Sequence, residues 1–406
     1  MEMTRAKAAA HDSSRAKGCE IGALVVGGDH SGLGIARSLG RRGIPVYVLD
    51  DQHCISSFSR YVDRVVRVKD LRDERAAVAA ILDTGQRFGL KDWVLFPTRD
   101  ETVAATSRYR SELAKFFRVA TPEWSTVKWA WDKKYTYELA TKLGIPCPRT
   151  FIPKHADDLA DLYSSLPLAV KPSVKENFFY ATGDKAWRAD TPAQLDSLYA
   201  KALQHVPGEN VLIQEIIPGG GSQQYSFCAF FRDGKVHSSL VAKRQRQHPR
   251  EFGRAATYVE TIEEPAIEEL STTFLKAIDY YGLVELEFKL DPRDQKYKLL
   301  DVNARTWGFH RLGQATGVDF PYLLFSDQLG ELGDGCRAKP GVGWLRLLAD
   351  LPTALADICQ GQLRMSAYFG SLQRTGVESV FSREDPLPFL AELLLLPYLI
   401  VKKKLI

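Results

Sequence analysis

The stretch from Leu283 to Asn303 constrains this chain more than any other. Leu283-Val284-Glu285-Leu286-Glu287-Phe288-Lys289-Leu290 alternates with a period of two. Leu286, Phe288 and Leu290 therefore turn to a core while Glu285, Glu287 and Lys289 turn away from it. The polar run from Asp291 to Lys296 reads as a turn, and Tyr297 to Asn303 returns as the partner strand. On that return strand Asp301 and Asn303 share one face, with Arg305 next in the same parity. The hairpin thus sets Glu287, Asp301 and Asn303 on one surface. Two carboxylates on one patch repel unless a cation lies between them. Magnesium suits such a place, being a hard ion that takes one or two carboxylates and completes its shell with phosphate oxygens and water. The competing account is a solvated sheet face with a surface charge pair.

Around this hairpin the chain changes character once. Near its start, the apolar run Ile21 to Val26 ends in Gly27 and Gly28, and Gly32 and Gly34 follow within a helical pattern. Val46 to Leu49 then reads as a second buried strand, and Trp93 to Phe96 as a third. Strand, helix and strand in this order begin a parallel sheet. After about residue 125, helical stretches such as Lys133 to Leu143 alternate with strands over 168–171, 211–216, 225–231, 236–242, 283–290 and 297–303. The fold class is therefore α/β followed by α+β. With 406 residues the chain suits two or three packed domains.

Three further segments could carry chemistry. Ala169-Val170-Lys171-Pro172 places a lysine at a strand end, where it either meets a phosphate or is simply solvated. Val211 to Ile217 is an apolar strand running into Pro218 and Gly219 to Gly221; it could offer backbone groups to an adenine edge before turning sharply, or be plain strand and loop. Leu240 to Arg246 ends in Lys243, Arg244, Gln245 and Arg246, which reads as a basic patch or as a clamp on a transferring phosphoryl group.

Taken in order, Asp132-Lys133, the lysine of AVKP, QEIIPG, and LEF with LLDVNAR closely resemble the ATP-grasp superfamily. Within it the chain looks most like carboxylate–amine ligases related to D-aspartate ligase, the pyrrolysine-pathway ligase and the large subunit of carbamoyl-phosphate synthase. The resemblance covers roughly residues 20 to 330, and its most specific part is the LEF/LLDVNAR pair. It implies an ATP-grasp fold: a flexible tail over 1–20, a Rossmann-like domain over 21–124, and an ATP-grasp domain over 125–334. Within that domain it implies a small lobe of about 133–214 and a large lobe of about 215–334, followed by a mostly helical C-terminal extension over 335–406. The implied activity joins a carboxylate to an amine through an acyl phosphate, with an amino acid or a cell-envelope precursor as substrate.

The resemblance also assigns roles. Lys133, Lys171 and Lys185 would contact the ATP phosphates, with Lys171 also near the adenine. Glu215, Ile216 and Ile217 would form the inter-lobe hinge that hydrogen-bonds adenine, and Gln224 would face the ribose, where relatives usually carry an acid. Glu287, Asp301 and Asn303 match the ligands of magnesium, for which manganese could substitute. Arg305 with one or more of Lys243, Arg244 and Arg246 would stabilise charge on the transferring group. Residues 173–184, SVKENFFYATGD, stand where a glycine-rich flap is expected but contain only Gly183. Such a lid would close through Thr182, Gly183 and Lys185, because Phe178, Phe179 and Tyr180 are too bulky to approach phosphate as glycine does.

The remaining features bound the reading. A net charge of +4, with no basic run interleaved with aromatics, argues against nucleic acid as a partner. Six scattered cysteines without a CxxC pair read as reduced thiols in the cytoplasm. LPFLAELLLLPYLIV, over 387–401, precedes Lys402 to Lys404 and is shorter than the ~20 apolar residues of a membrane span. It reads as a terminal helix docked on the body or as a peripheral contact with an anionic membrane at the inner face. A homodimer is expected from the relatives. Two rival functions stand beside the ligase. One is a nicotinamide-dependent oxidoreductase, for which GGDHSGLG is off pattern but Asp50 and Asp51 follow the second strand. The other is a degenerate nucleotide-binding protein at the membrane. Arg99 could hold a substrate carboxylate bidentately or pair with Asp100 or Glu101.

Overall fold

The computed structural model describes residues 21–248, 252–253 and 255–403; the tail expected over 1–20 and Lys404 lie outside them. The chain forms three sheets. The first is parallel, with β1 (Ala23–Val26), β2 (Val46–Asp50), β3 (Arg64–Arg67), β4 (Val94–Pro97) and β5 (Arg118–Val119) in the order β3-β2-β1-β4-β5. Strand β1 is buried along its whole length, because helices cover both faces of the sheet, which is why it reads as an unbroken apolar run. Gly27 ends it at φ 110°, and a Cβ there would lie 2.1 Å from Thr98 Oγ1. Only glycine allows that close approach. The helix His30–Gly40 follows, its N-terminus capped by Asp29, whose side chain accepts from the amides of Ser31 and Gly32.

The second sheet is antiparallel and small. It holds β6 (Thr150–Phe151), β7 (Leu168–Pro172), β8 (Trp187–Ala189) and β9 (Val211–Glu215) in the order β6-β9-β7-β8. Leu168, Val170 and Ile213 project from it onto the helix Pro192–Ala202 through Leu195 and Tyr199.

The third sheet is the largest. It comprises β10 (Gln224–Arg232), β11 (Lys235–His248), β12 (Ala255–Ile262), β13 (Gly282–Asp291), β14 (Lys296–Asn303), β15 (Gly343–Leu345) and β16 (Thr375–Glu378), ordered β14-β13-β10-β11-β12-β15-β16. One face carries Phe227, Phe231, Leu286 and Phe288 against Phe274 and Leu275 of the helix Pro265–Ala277. The other face carries Cys228, Phe230 and Ala242, which share a core with Trp307, Phe320 and residues of the first sheet. Towards one end this second face turns polar, at Ser226, Glu285 and Glu287.

The region after residue 335 holds strands β15 and β16, which extend the large sheet, besides its helices. Its helix Leu347–Cys359 lies on β11, where Asp350 clasps Arg246 with two bonds of 2.8 Å. Arg246 also donates to Ser371 Oγ at 3.0 Å and lies over the rings of Tyr258 and Tyr368. The last helix, Leu387–Lys403, packs on the 3-10 turn Ile55–Phe58 of the first domain. Just before it, Asp385 pairs at 3.0 Å with the fully buried Arg37. No helix among the described residues is long and apolar enough to cross a membrane.

Arg246 and Asp350 are both enclosed, so removing one strands the other's charge. Asp350→Ala is expected to cost about 3–5 kcal/mol of stability in chemical denaturation. Replacing both by apolar residues of similar volume should recover most of that loss.

Candidate functional site

The hairpin of β13 and β14 meets the sequence expectation with one addition. Glu287 pairs with Asp301 and Phe288 with Leu299, which leaves Leu300 as an extra residue on β14. This bulge reverses the facing of the strand. Leu299 is buried beside Phe288 in the core, while Asp301 and Asn303 come out on the side of Glu287. The bulged carbonyl is put to use, accepting from the Tyr137 hydroxyl at 2.8 Å. The Asn303 amide donates to Glu285 at 3.1 Å and to Glu287 at 3.2 Å. Glu285 also accepts from Ser226 Oγ at 3.0 Å. Burial, and then the neighbouring Glu287, push the Glu285 carboxyl up to about 7.

Cations from several elements close on these acids. Lys133, the first residue of the helix Lys133–Lys142, sits 2.7 Å from Asp301. Arg244 on β11 sits 3.1 Å from Glu287 and donates to Gln224 at 2.7 Å. Burial, the largest influence, would raise both carboxylates, but Arg244 with Lys185 and Lys175 at Glu287, and Lys133 with Lys175 and Lys185 at Asp301, together hold each below its ordinary value. Lys171 donates to the Tyr137 hydroxyl at 2.8 Å; burial, and then Lys133, bring its ammonium down to about 7. Lys185, 3.1 Å from the Gly253 carbonyl, is lowered to about 8 by burial, with Glu287 opposing. Arg305 grips Asp100 of the first domain at 2.7 Å and reaches Asn303 at 3.4 Å.

Glu215, Ile216 and Ile217 carry the chain from β9 of the small sheet towards β10 of the large one. The crossing is tied at both ends. The Arg149 amide donates to Glu215 at 2.9 Å, and Lys289 donates to the Ile217 carbonyl at 2.7 Å.

Three sequence candidates lie elsewhere. Arg246 is the buried partner of Asp350 and does not face the acids. Lys243 pairs across the strands with Tyr225 and lies 5.4 Å from its ring centre, on the sheet face opposite Arg244. The strand alternates there, so neighbours in KRQR cannot all clamp one group. Arg99 is bidentate, but to Asp51 at 2.8 Å and Asp50 at 2.7 Å. It is thereby engaged inside the first domain. Asp50 further accepts from the Gly28 amide at 2.6 Å.

The segment expected as a glycine-rich flap is a helix, Lys175–Thr182, ended by Gly183 at φ 79°. Two of its bulky residues are engaged elsewhere. Phe178 turns inward to the small-lobe core and packs on Trp187 at 4.7 Å. Tyr180 reaches across to the first domain, donating to Glu101 at 2.6 Å beneath the guanidinium of Arg72. Lys175 sits 2.5 Å from Asp100. Burial would raise Asp100, but Arg305 and Lys175 together hold it well below the carboxylate range. The helix is thus tied to elements of the first sheet at two points. A small cleft, open at its mouth, lies beside it, lined by Asp100, Lys133, Lys175, Asp301 and Asn303.

The donors fit a hard divalent cation. Among the described residues no group of three or more His, Cys, Asp or Glu could hold a metal. An ion at the hairpin would therefore be held by two carboxylates and an amide oxygen, completing its shell with ligand oxygens and water. Lys133 and Arg244 neutralise the same two carboxylates here. The Asn303 amide, whose oxygen and nitrogen exchange by a simple flip, can present oxygen to the pair. Sequence reasoning missed Glu285 as a buried member of this cluster. It also missed Tyr137, Lys175 and the Tyr180–Glu101 contact, and saw Asp100 only as a neighbour of Arg99. No local pattern signals these, since each depends on a partner far away in the chain.

No family model matches the chain. It is 22% identical over 228 residues to the D-aspartate ligase of Enterococcus faecium, an overlap of 53% of this chain and 53% of that protein. The chain thus matches about half the length of this curated relative. Among solved structures, the L-amino acid ligase of Bacillus licheniformis superposes with a TM-score of 0.61 at 18% identity, covering 80% of this chain and 79% of that one. The biotin carboxylase domain of Hydrogenobacter thermophilus 2-oxoglutarate carboxylase, in complex with MgADP, ADP and bicarbonate, superposes with a TM-score of 0.62 at 15% identity. That match covers 79% of this chain and 73% of the other.

The Tyr180 tie makes a measurable claim on the helix Lys175–Thr182. Tyr180→Phe removes a hydrogen bond to a buried carboxylate and is expected to speed amide exchange over 175–182 by about tenfold. Hydrogen-exchange mass spectrometry reads this directly; unchanged exchange would show that the contact restrains nothing.

Proposed function

We propose that this chain, whose fold is the ATP-grasp fold, is an ATP-dependent carboxylate–amine ligase. The observation that carries the reading is the hairpin on which Glu287, Asp301 and Asn303 face Lys133, Lys185 and Arg244. ATP would lie between the small and large sheets, its adenine against the Glu215–Ile217 crossing and its ribose near Gln224. Lys133, Lys171 and Lys185 would meet the phosphates. Glu287, Asp301 and Asn303 would hold magnesium, or manganese, which when bound neutralises the phosphate oxygens and aligns them.

A substrate carboxylate oxygen attacks the γ-phosphorus, the bond to the β–γ bridging oxygen breaks, and ADP departs. An amine then attacks the acyl carbon, phosphate leaves with the C–O bond electrons, and the amine loses a proton. Arg305 and Arg244 offset the charge that grows on the transferring group. Arg305 and Lys175 now share Asp100, so an incoming anion has two cations to recruit. Positioning and charge neutralisation are what such transfer requires of the protein. For partners, the reading comprises two small-molecule substrates, a second copy of the chain in a homodimer, and a peripheral membrane contact at the C-terminal helix of a cytoplasmic protein.

The oxidoreductase alternative is not favoured. Asp29 already caps the helix N-terminus where a dinucleotide pyrophosphate would sit, and Asp50 is held by Gly28 and Arg99.

Glu287→Gln and Asp301→Asn are each expected to lower ATP turnover on the order of a thousandfold while leaving the thermal melting profile intact. Retained turnover would reject the metal assignment, and stabilisation by NADH in preference to MgADP would reject the ligase reading. A protein that binds MgATP but turns it over with no acid and amine pair would be the degenerate alternative.

The lysines add a pH signature. Phosphates raise the proton affinity of Lys171 and Lys185, which burial brings to about 7 and about 8 in the free protein. MgATP binding should therefore take up roughly one to two protons near pH ~8.5 and almost none near pH ~6, where both are already charged. Calorimetry in buffers of different ionisation enthalpy measures that uptake. No uptake at the higher pH would place the phosphates away from both lysines.

A further inference from the structure

We infer that the outward face of the C-terminal helix seats the protein on an anionic lipid surface. This rests on the peripheral-contact reading of that helix and is independent of the chemistry assigned to the cleft. The helix is amphipathic in the wrong sense for water. Its docked side carries Ala391, 4% exposed, and Glu392, 3% exposed. Phe389 and Leu395 pack there with Leu33, Ile55 and Val380. Glu392, the one charged residue between Leu387 and Pro397, is turned inward and paired with Arg346 at 2.7 Å.

The outward side is left to Leu387, Leu390, Leu393 and Leu394, the last 83% exposed. These positions recur at helical spacing, so they form one stripe rather than scattered contacts. Phe58 and Phe381 are exposed beside the helix, each 43%. Phe58 belongs to the turn on which the helix docks, and Phe381 stacks edge-on with Phe389 at 5.5 Å. A helix that faced solvent would put its glutamate outside and its leucines inside.

Lipid is the occupant that the charges select. Lys402, Lys403 and Lys404 directly follow the apolar stretch, with no acid beside them. An apolar stripe ending in a lysine run matches acyl chains next to anionic headgroups. The helix runs Leu387–Lys403, about 25 Å at the usual rise, short of a ~30 Å hydrocarbon core. With one side docked on the protein it must lie in the membrane plane.

The test is co-sedimentation of the full chain with phosphatidylcholine vesicles, with or without about a quarter phosphatidylglycerol. Binding to the mixed vesicles should exceed binding to the neutral ones by at least about tenfold and weaken as salt is added. The double variant Leu390→Gln/Leu394→Gln should lose on the order of tenfold on both, and Lys402→Gln/Lys403→Gln/Lys404→Gln should lose only the preference for the anionic lipid. Circular dichroism melts and MgADP-induced thermal shifts check that each variant is folded, and a missing MgADP shift would count against the cleft reading alone. Wild-type protein that is folded yet stays in the supernatant overturns the inference. So does a leucine variant that binds vesicles undiminished, or one that merely converts a dimer to a monomer, since a second copy would then be what covers the face.

Discussion

The structure depends on balancing charge where water is scarce. Glu287 and Asp301 face each other across two strands, with Glu285 one pleat deeper, and three carboxyl groups so placed repel strongly in a poorly solvated setting. Relief comes from distant pieces of chain: Lys133 from a helix start, Arg244 from a neighbouring strand, and Lys185 from the segment after the helix Lys175–Thr182. Arg305 completes the ring and is itself held by Asp100 from the first domain. Each cation belongs to a different element, so the lobes must come together before the acids are balanced. Assembly of the molecule and assembly of the cleft are thus one event in electrostatic terms.

How much of this could be read in advance depended on range. The hairpin was legible because period-two alternation fixes which side chains share a face, and because two acids on such a face are unusual. The first sheet was legible because a strand covered on both sides must be apolar throughout. Lys133 and Lys171 were placed by the order of motifs, not by local physics. What the local sequence did not separate was which of the three basic residues near the end of β11 faces the acids. Lys243 precedes Arg244 and Arg246 follows it two residues on, yet alternation sends Lys243 to the other side and the bulged end of β11 delivers Arg246 to Asp350. The expected lid was illegible for a related reason. Composition marked 173–184 as unsuited to a glycine flap, which was true, but only the fold shows that a helix there can bury Phe178 and spend Tyr180 on another domain.

The C-terminal region does more than follow the large sheet. Through Asp350 it fixes Arg246 and the far end of β11, and through Asp385 it fixes Arg37 inside the first domain's leading helix. One stretch therefore braces both ends of the molecule. The helix Lys175–Thr182, by contrast, is tied to the first sheet's elements by polar contacts from Lys175 and Tyr180. Parts that open for ligands are drawn from the weakly held end of a structure's stability range.

The extra residue at Leu300 has a genetic consequence. Because one position of β14 has no partner on β13, loss of its codon would restore a regular ladder. Leu299 would stay opposite Phe288 and Asp301 opposite Glu287, so both faces would keep their contents and the loss would fall on the Leu300 carbonyl that holds Tyr137. An in-frame deletion of three nucleotides there would spare the acids and act through Tyr137, whose hydroxyl also receives Lys171.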